Sequence, residues 1–280
     1  MNTRLWLTKA LSYAILIICF IIFIIPFYLL IINALKTNAQ IIESPLSLPT
    51  AIHWDTLKSV VTEMNYLSSL RNTVFLTVSG VGLISLFSSM AAHYIVRNKS
   101  KFNNTVFFMM VAAMIIPFQA IMIPMVSIYG QKLGWIQSSP LLTLVFLYVG
   151  FGSSLAVFIY HGFVKSIPKE LEEAAWIDGC SSRQTFFKIV FPILLPTTVT
   201  IGILNMLWIW NDFLLPMLVL QNAGPSSLTL PLSISVFNGT YSSNYEKFLP
   251  AVLLVTLPIL VVYLFAQRFI LQGVTQGAVK

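Results

Sequence analysis

Six long, predominantly apolar stretches of this chain contain no charged residue: 10–35, 72–96, 102–131, 133–164, 189–211 and 248–267. A bilayer core about 30 Å thick takes roughly 20 helical residues to cross, and every stretch is long enough. The pattern predicts six membrane-spanning helices, near 11–32, 72–95, 104–128, 140–164, 193–219 and 249–267. Composition agrees, with 57% of residues hydrophobic and only 9% charged. A soluble domain carries about 25% charged residues, so a soluble enzyme, a disordered chain and a fibrous repeat are all excluded. The third span contains Pro117 and Pro124 and is expected to be broken, which neighbouring helices can accommodate. The fifth contains Asp212. Arg4 and Lys9 precede the first apolar run as in a secretory signal. That run is longer than a signal core and no A-x-A site follows before Lys36, so an uncleaved helix is expected.

Lysine and arginine set the orientation. With a cytoplasmic N-terminus the inner side holds Arg4, Lys9, Arg97, Lys99, Lys101, Lys165, Lys169, Arg183, Lys188, Arg268 and Lys280. The outer side holds Lys36, Lys58, Arg71, Lys132 and Lys247, eleven basic residues against five. Counting acids as well, the inner side nets +7 and the outer side +1, with Asp212 isolated between them. The net charge of +7 is therefore topological, and nucleic acid is not needed to explain it. Cys19 and Cys180 lie in an apolar run and a charged loop and imply no disulfide framework. Both termini are expected in the cytoplasm, and residues 1–280 form a single membrane domain.

The one sizeable inner loop, 166–192, reads as two short helices meeting at a glycine. Ser166 is the expected N-cap of the first, with Pro168 in its first turn and Glu170, Glu172 and Glu173 at the positive end of its dipole. Ile167, Leu171, Ala174, Ala175 and Asp178 follow helical spacing and give one small, apolar side. Gly179 suits the left-handed position that ends a helix. Ser181 and Gln184 then match a capping box that opens a second helix running into Phe186, Phe187 and Ile189. Two readings stand on these residues: a soluble docking knob, or an amphipathic linker lying on the inner leaflet.

The spacing Glu173-Ala174-Ala175, Gly179, Ile189 and Pro192 resembles the EAA loop of ABC-importer membrane subunits, with Phe191 where leucine is usual. Further matches occur in order. Ala91-Ala92-His93-Tyr94 through Arg97 and Phe102 resembles the end of the family's second span, and Ile115-Ile116-Pro117 with Ile123-Pro124 its broken third span. Trp210-Asn211-Asp212-Phe213 resembles the sugar-permease signature W-N-[DE]-F. Thr229-Leu230-Pro231 and the tail from Gln267 to Lys280 also match. The resemblance is to six-helix permease subunits of maltose- and oligosaccharide-type uptake systems, and implies an all-α, type I ABC importer permease fold in a bacterial cell membrane. It implies that the 166–192 loop couples to a cytoplasmic ATPase dimer through Glu173, Ala174, Ala175, Asp178, Gly179, Ile189 and Pro192. The tail residues Gly273, Gly277 and Lys280 would reach the same ATPase. Asn238, Gly239, Thr240, Tyr241 and Ser242 would meet an extracytoplasmic solute-binding protein, and a second permease would complete the pathway. No G-x-x-x-x-G-K-[ST] phosphate loop occurs, so ATP and Mg are expected on the partner ATPase, with no cofactor in this chain and no catalysis by it.

Polar residues inside membranes are costly and usually face a bundle interior or a water-filled path. Thr198, Asn205 and Asp212 recur every seven residues and Trp208 shares their face. One reading lines the pathway with Asn205, Trp208, Asn211 and Asp212, tryptophan stacking on sugar and the amides and carboxylate binding hydroxyls. The other has Asp212 bond a neighbouring helix. Gln119, between the two prolines, is expected to face the cavity made by the break. Gly82, Ser85, Ser89 and His93 approximate a small-residue packing stripe. No metal-ligand spacing and no nucleophile–base pair is present, which argues against an intramembrane enzyme. A single ionisable residue in the spans argues against an ion-coupled secondary transporter. Among importers, sugars, oligosaccharides, glycerol-3-phosphate and other polar solutes stay open.

Overall fold

The structure, a computed structural model, describes residues 3–237 and 244–278, with side chains over 9–237 and 244–267. It is helical, without a strand among the described residues. In chain order the helices are α1 (Thr3–Asn33), α2 (Asn38–Glu43), α3 (Trp54–Glu63), α4 (Tyr66–Arg97), α5 (Lys101–Ala113), α6 (Phe118–Val126), α7 (Trp135–Ser138) and α8 (Pro140–Ser166). There follow α9 (Glu170–Ile177), α10 (Ser182–Thr185), α11 (Phe191–Ile193), α12 (Leu195–Asn211), α13 (Leu214–Leu220), α14 (Leu230–Ser233) and α15 (Tyr245–Ala278).

Lys9–Asn33 of α1, α4, α8 and Tyr245–Gln267 of α15 are each long and apolar enough to cross a membrane alone. Two bent helix pairs are apolar and long enough only when taken together: Lys101–Ala113 with Phe118–Lys132 at 102°, and Ser182–Ile193 with Leu195–Asn211 at 74°. The third span is thus broken harder than two prolines suggest, and at one of them only. Pro117 has no N–H and forces the preceding residue out of helical geometry. It opens α6 in extended conformation, whereas Pro124 sits inside α6. The fifth span is not the continuous helix over 193–219 expected from sequence. α12 stops at Asn211, Asp212 takes extended backbone angles, and α13 starts afresh at Leu214.

The chain divides into two compact units. The first comprises 1–66 and 233–258. Here Lys36, 2% exposed, donates from Nζ to Asn33 Oδ1 (3.1 Å) and the Ser44 carbonyl (2.9 Å), clasping the turn after α2 onto the end of α1. Glu246, in the first turn of α15, accepts from Asn38 N–H (3.2 Å) and Thr56 Oγ1 (3.3 Å), which ties α2 and α3 to α15. Lys247 and Glu63 pair at 2.6 Å on the surface of the same unit.

The second unit comprises 67–232 and 259–280. Its core packs Leu76, Ile84 and Ala92 of α4 against Leu144, Tyr148, Ala156 and Tyr160 of α8 and Ile201 and Ile209 of α12. Neighbouring side chains press directly on the backbone at Gly152 of α8, where a Cβ would lie 2.5 Å from Ile84 Cδ1 and 2.7 Å from Asn205 Oδ1. On α4 the contact glycine is Gly80, whose Cβ would meet Ile209 at 2.8 Å, and not Gly82, which has open space around it. Ser85 and Ser89 are buried as a packing stripe requires.

Candidate coupling loop and candidate pathway residues

α8 runs on through Ser166, whose Oγ donates to the Phe163 carbonyl at 2.8 Å. Ser166 therefore finishes one helix and does not cap the next. α9 begins at Glu170, and the Lys169 carbonyl accepts from the N–H groups of Glu172 (2.9 Å) and Glu173 (3.0 Å). Its three glutamates occupy the first turn as predicted. At the other end Gly179 has φ +84°. Cys180 N–H bonds the Ala175 carbonyl (2.9 Å) and Gly179 N–H the Trp176 carbonyl (3.0 Å), the two bonds of a Schellman cap. Ser181 and Gln184 form both halves of the predicted capping box. Beyond α10 the chain winds wider, with Phe191 N–H bonding the Phe186 carbonyl five residues back. Pro192 follows in α11 without an N–H to donate.

The faces of α9 differ from the sequence expectation. Ile167 and Ala175 turn inward, but Leu171, Ala174 and Asp178 are exposed. The outward face carries Glu173, Ala174, Ile177 (87% exposed) and Asp178 beside the open Gly179, while Trp176, one turn on from Glu172, lines a pocket with it, His93 and Arg97. Ile189 is half-buried and Pro192 exposed.

The inward face holds a residue that the sequence reading did not single out. Glu172 is 2% exposed, and both carboxylate oxygens are taken. Oε1 accepts from Arg97 Nε at 2.7 Å, and Oε2 lies 2.9 Å from His93 Nε2. Arg97 also donates through Nη2 to the Ile167 carbonyl at 2.9 Å. His93 and Arg97 are one helical turn apart at the end of α4, so they present one edge of nitrogen groups to α9. The available signal was that spacing, together with three carboxylates in a first turn that needs fewer.

The stripe on α12 faces α8. Tyr160 donates to Thr198 Oγ1 at 2.9 Å, and Tyr148 to Asp212 Oδ2 at 3.0 Å. Asp212 Oδ1 accepts from Leu214 N–H at 3.1 Å, so the carboxylate caps α13 while bonded to the neighbouring helix. Asn205 is buried and its Nδ2 returns to the Ile201 carbonyl at 3.0 Å. Trp208, 41% exposed and edge-on to Tyr148 at 5.4 Å, lines a cleft of about 230 Å³ with Phe151, Gly152, Leu155, Leu204 and Asn205. Asn211 is exposed. The α5–α6 break leaves a groove of about 500 Å³ whose lining includes Met114, Phe118, Pro124, Tyr129 and Phe151. Gln119 is exposed on α6 and is not one of the groove's lining residues, because the turn that opens α6 points it elsewhere. Gly273 and Gly277 fall on α15 where only backbone is described, and Lys280 and Asn238–Ser242 lie outside the described residues.

Residues 84–273 match the model of a family described as binding-protein-dependent transport system inner membrane component. A similar protein in Thermoanaerobacterium thermosulfurigenes, named "Probable starch degradation products transport system permease protein AmyC", is 39% identical over 94% of each chain. The melibiose/raffinose/stachyose import permease protein MelC of Bacillus subtilis is 33% identical over 91% of each chain. A solved structure of a bacterial ABC transporter involved in the import of the acidic polysaccharide alginate superposes with a TM-score of 0.81. It covers 96% of this chain and 98% of that one at 18% identity.

Proposed function

Because the chain belongs to the family of binding-protein-dependent transport system inner membrane components, integral to the cell membrane, we propose that it is one permease of an ATP-driven importer of sugars or oligosaccharides. It works with a second permease, an ATPase dimer and an extracytoplasmic solute-binding protein. ATP is bound and hydrolysed on the ATPase, and the 166–192 loop carries the resulting motion to the membrane helices.

The observation that carries this reading is the outward face of α9: Ile177 and Ala174 stand bare beside a glycine that leaves room for a close neighbour. An inner-leaflet linker would instead spread its apolar residues along one side and keep its acids off the membrane. Here Glu173 and Asp178 share the exposed face with Ile177. The sugar assignment is supported by the solutes named for the relatives. The exposed ring of Trp208 over its cleft offers the kind of flat apolar surface on which a sugar face stacks. α1, with 6% of its spanning window buried, and the groove at the α5–α6 break offer apolar surface for a second permease.

The test is uptake of radiolabelled maltotriose and raffinose by cells carrying the whole system, with this gene intact or deleted. Uptake lost with the gene and abolished by ATP depletion supports the proposal. Uptake that persists without ATP overturns it. Gly179→Trp should abolish uptake while the chain remains in the membrane, since the space beside it is open to a docked partner and its φ of +84° strains any side chain placed there.

A further inference from the structure

The buried trio Glu172, Arg97 and His93 does more than hold a loop in place. α9 has two working faces on opposite sides. The outer one, with Ile177 and Ala174, is bare, and the inner one ends in a carboxylate whose two oxygens are gripped separately by two side chains of α4. Arg97 adds a third tie, to the carbonyl of Ile167 where α8 ends. Three elements therefore meet at one guanidinium: the end of α4, the end of α8 and the start of α9. Apolar packing between helices can slide by small steps, because dispersion contacts have no preferred partner. A buried carboxylate cannot move off Arg97 and His93 without leaving its own charge stranded at low dielectric. α9 and the end of α4 are bound to move as one body.

We infer that the Glu172–Arg97–His93 cluster is the joint that delivers loop movement to α4, with Glu172 and Arg97 as positioning residues for coupled transport. This rests on the reading of the 166–192 loop as the ATPase contact. A push on the outer face of α9 enters at Ile177, crosses the helix to Glu172, and passes through the two short charge contacts into a 32-residue span. The same grip on Ile167 draws the end of α8 along, so the two helices that pack at Gly152 are driven from a single point.

The experiment uses the complete transporter in proteoliposomes, with radiolabelled maltotriose, or raffinose if that is the sugar carried. It reads sugar moved per ATP hydrolysed. Glu172→Gln should lower that ratio at least tenfold, Arg97→Lys should lower it less, and the exchanged pair Glu172→Arg with Arg97→Glu should recover to within threefold of the parent. A purely structural role would reduce both rates together, so an unchanged ratio in Glu172→Gln overturns the joint. Should Glu172→Gln fail to assemble, Arg97→Lys and the exchanged pair give the same reading, and a normal ratio in Arg97→Lys then overturns it. A parallel arm places Ile177→Cys in a chain whose Cys19 and Cys180 are serine and scores cross-linking to the ATPase subunit. No cross-link in that otherwise unaltered chain overturns the docking reading beneath. A cross-link with an unchanged ratio in Glu172→Gln overturns the joint alone.

Discussion

At Gly152 there is no volume for even one more carbon, since a Cβ would stand 2.5 Å from Ile84 and 2.7 Å from Asn205. Neither neighbour can retreat freely, because both are buried in the same core. Gly152→Val should therefore destabilise the chain by about 1–3 kcal/mol, the usual range for overpacking. A lowered midpoint in thermal unfolding of detergent-solubilised protein checks this, and an unchanged midpoint would mean that the helices do not meet here. Residues whose role is set by local backbone chemistry were legible in the sequence: Gly179 at a left-handed cap, and Ser181 with Gln184 in a capping box. Residues whose role is set by what crosses them were not. Gly82 was a reasonable packing glycine by spacing, but Gly80 and Gly152 are the ones pressed against neighbours. Glu172 looked like one more helix-dipole acid until Arg97 and His93 were found against it.

Among elements, the loop pair α9–α10 depends on its caps more than on length, since helices of 8 and 4 residues have little stability of their own. Ser181→Ala removes one bond of the capping box and should cost about 1 kcal/mol. Local opening should then rise about fivefold, because 1.4 kcal/mol corresponds to tenfold. Trypsin cleavage at Arg183 and Lys188 in inside-out vesicles measures it, and an unaltered cleavage rate would show that the cap is not what holds the loop. The four helices long enough to cross a membrane alone were readable from charge-free runs because the bilayer tolerates few charges whatever the tertiary structure. The interruptions elsewhere were only half readable. Pro117 announces a break through its missing N–H. At Asp212 the carbonyl has no N–H to accept from at Pro216, and the Tyr148 hydroxyl, which only the fold brings there, holds the carboxylate where it caps α13.

For the whole molecule, the charge asymmetry makes a prediction that the native cysteines can report. Cys180 lies partly exposed on the loop, and Cys19 lies in the middle of α1. A membrane-impermeant maleimide should label Cys180 in inside-out vesicles and leave it untouched in intact cells, while Cys19 stays unlabelled in both. Labelling of Cys180 from outside would invert the orientation drawn from eleven inner and five outer basic residues. The bend after α5 has a consequence for how much of this protein a cell can keep. α5 has 13 residues and so runs about 20 Å before the chain turns by 102°, leaving non-helical backbone within an apolar stretch with Ile115 81% exposed. Such backbone is tolerated only beside other protein or a water-filled space. A copy made in excess of its partners has nowhere to shelter that turn. Membrane proteases should clear it, and the steady-state amount of this chain should follow the supply of the subunits that cover it.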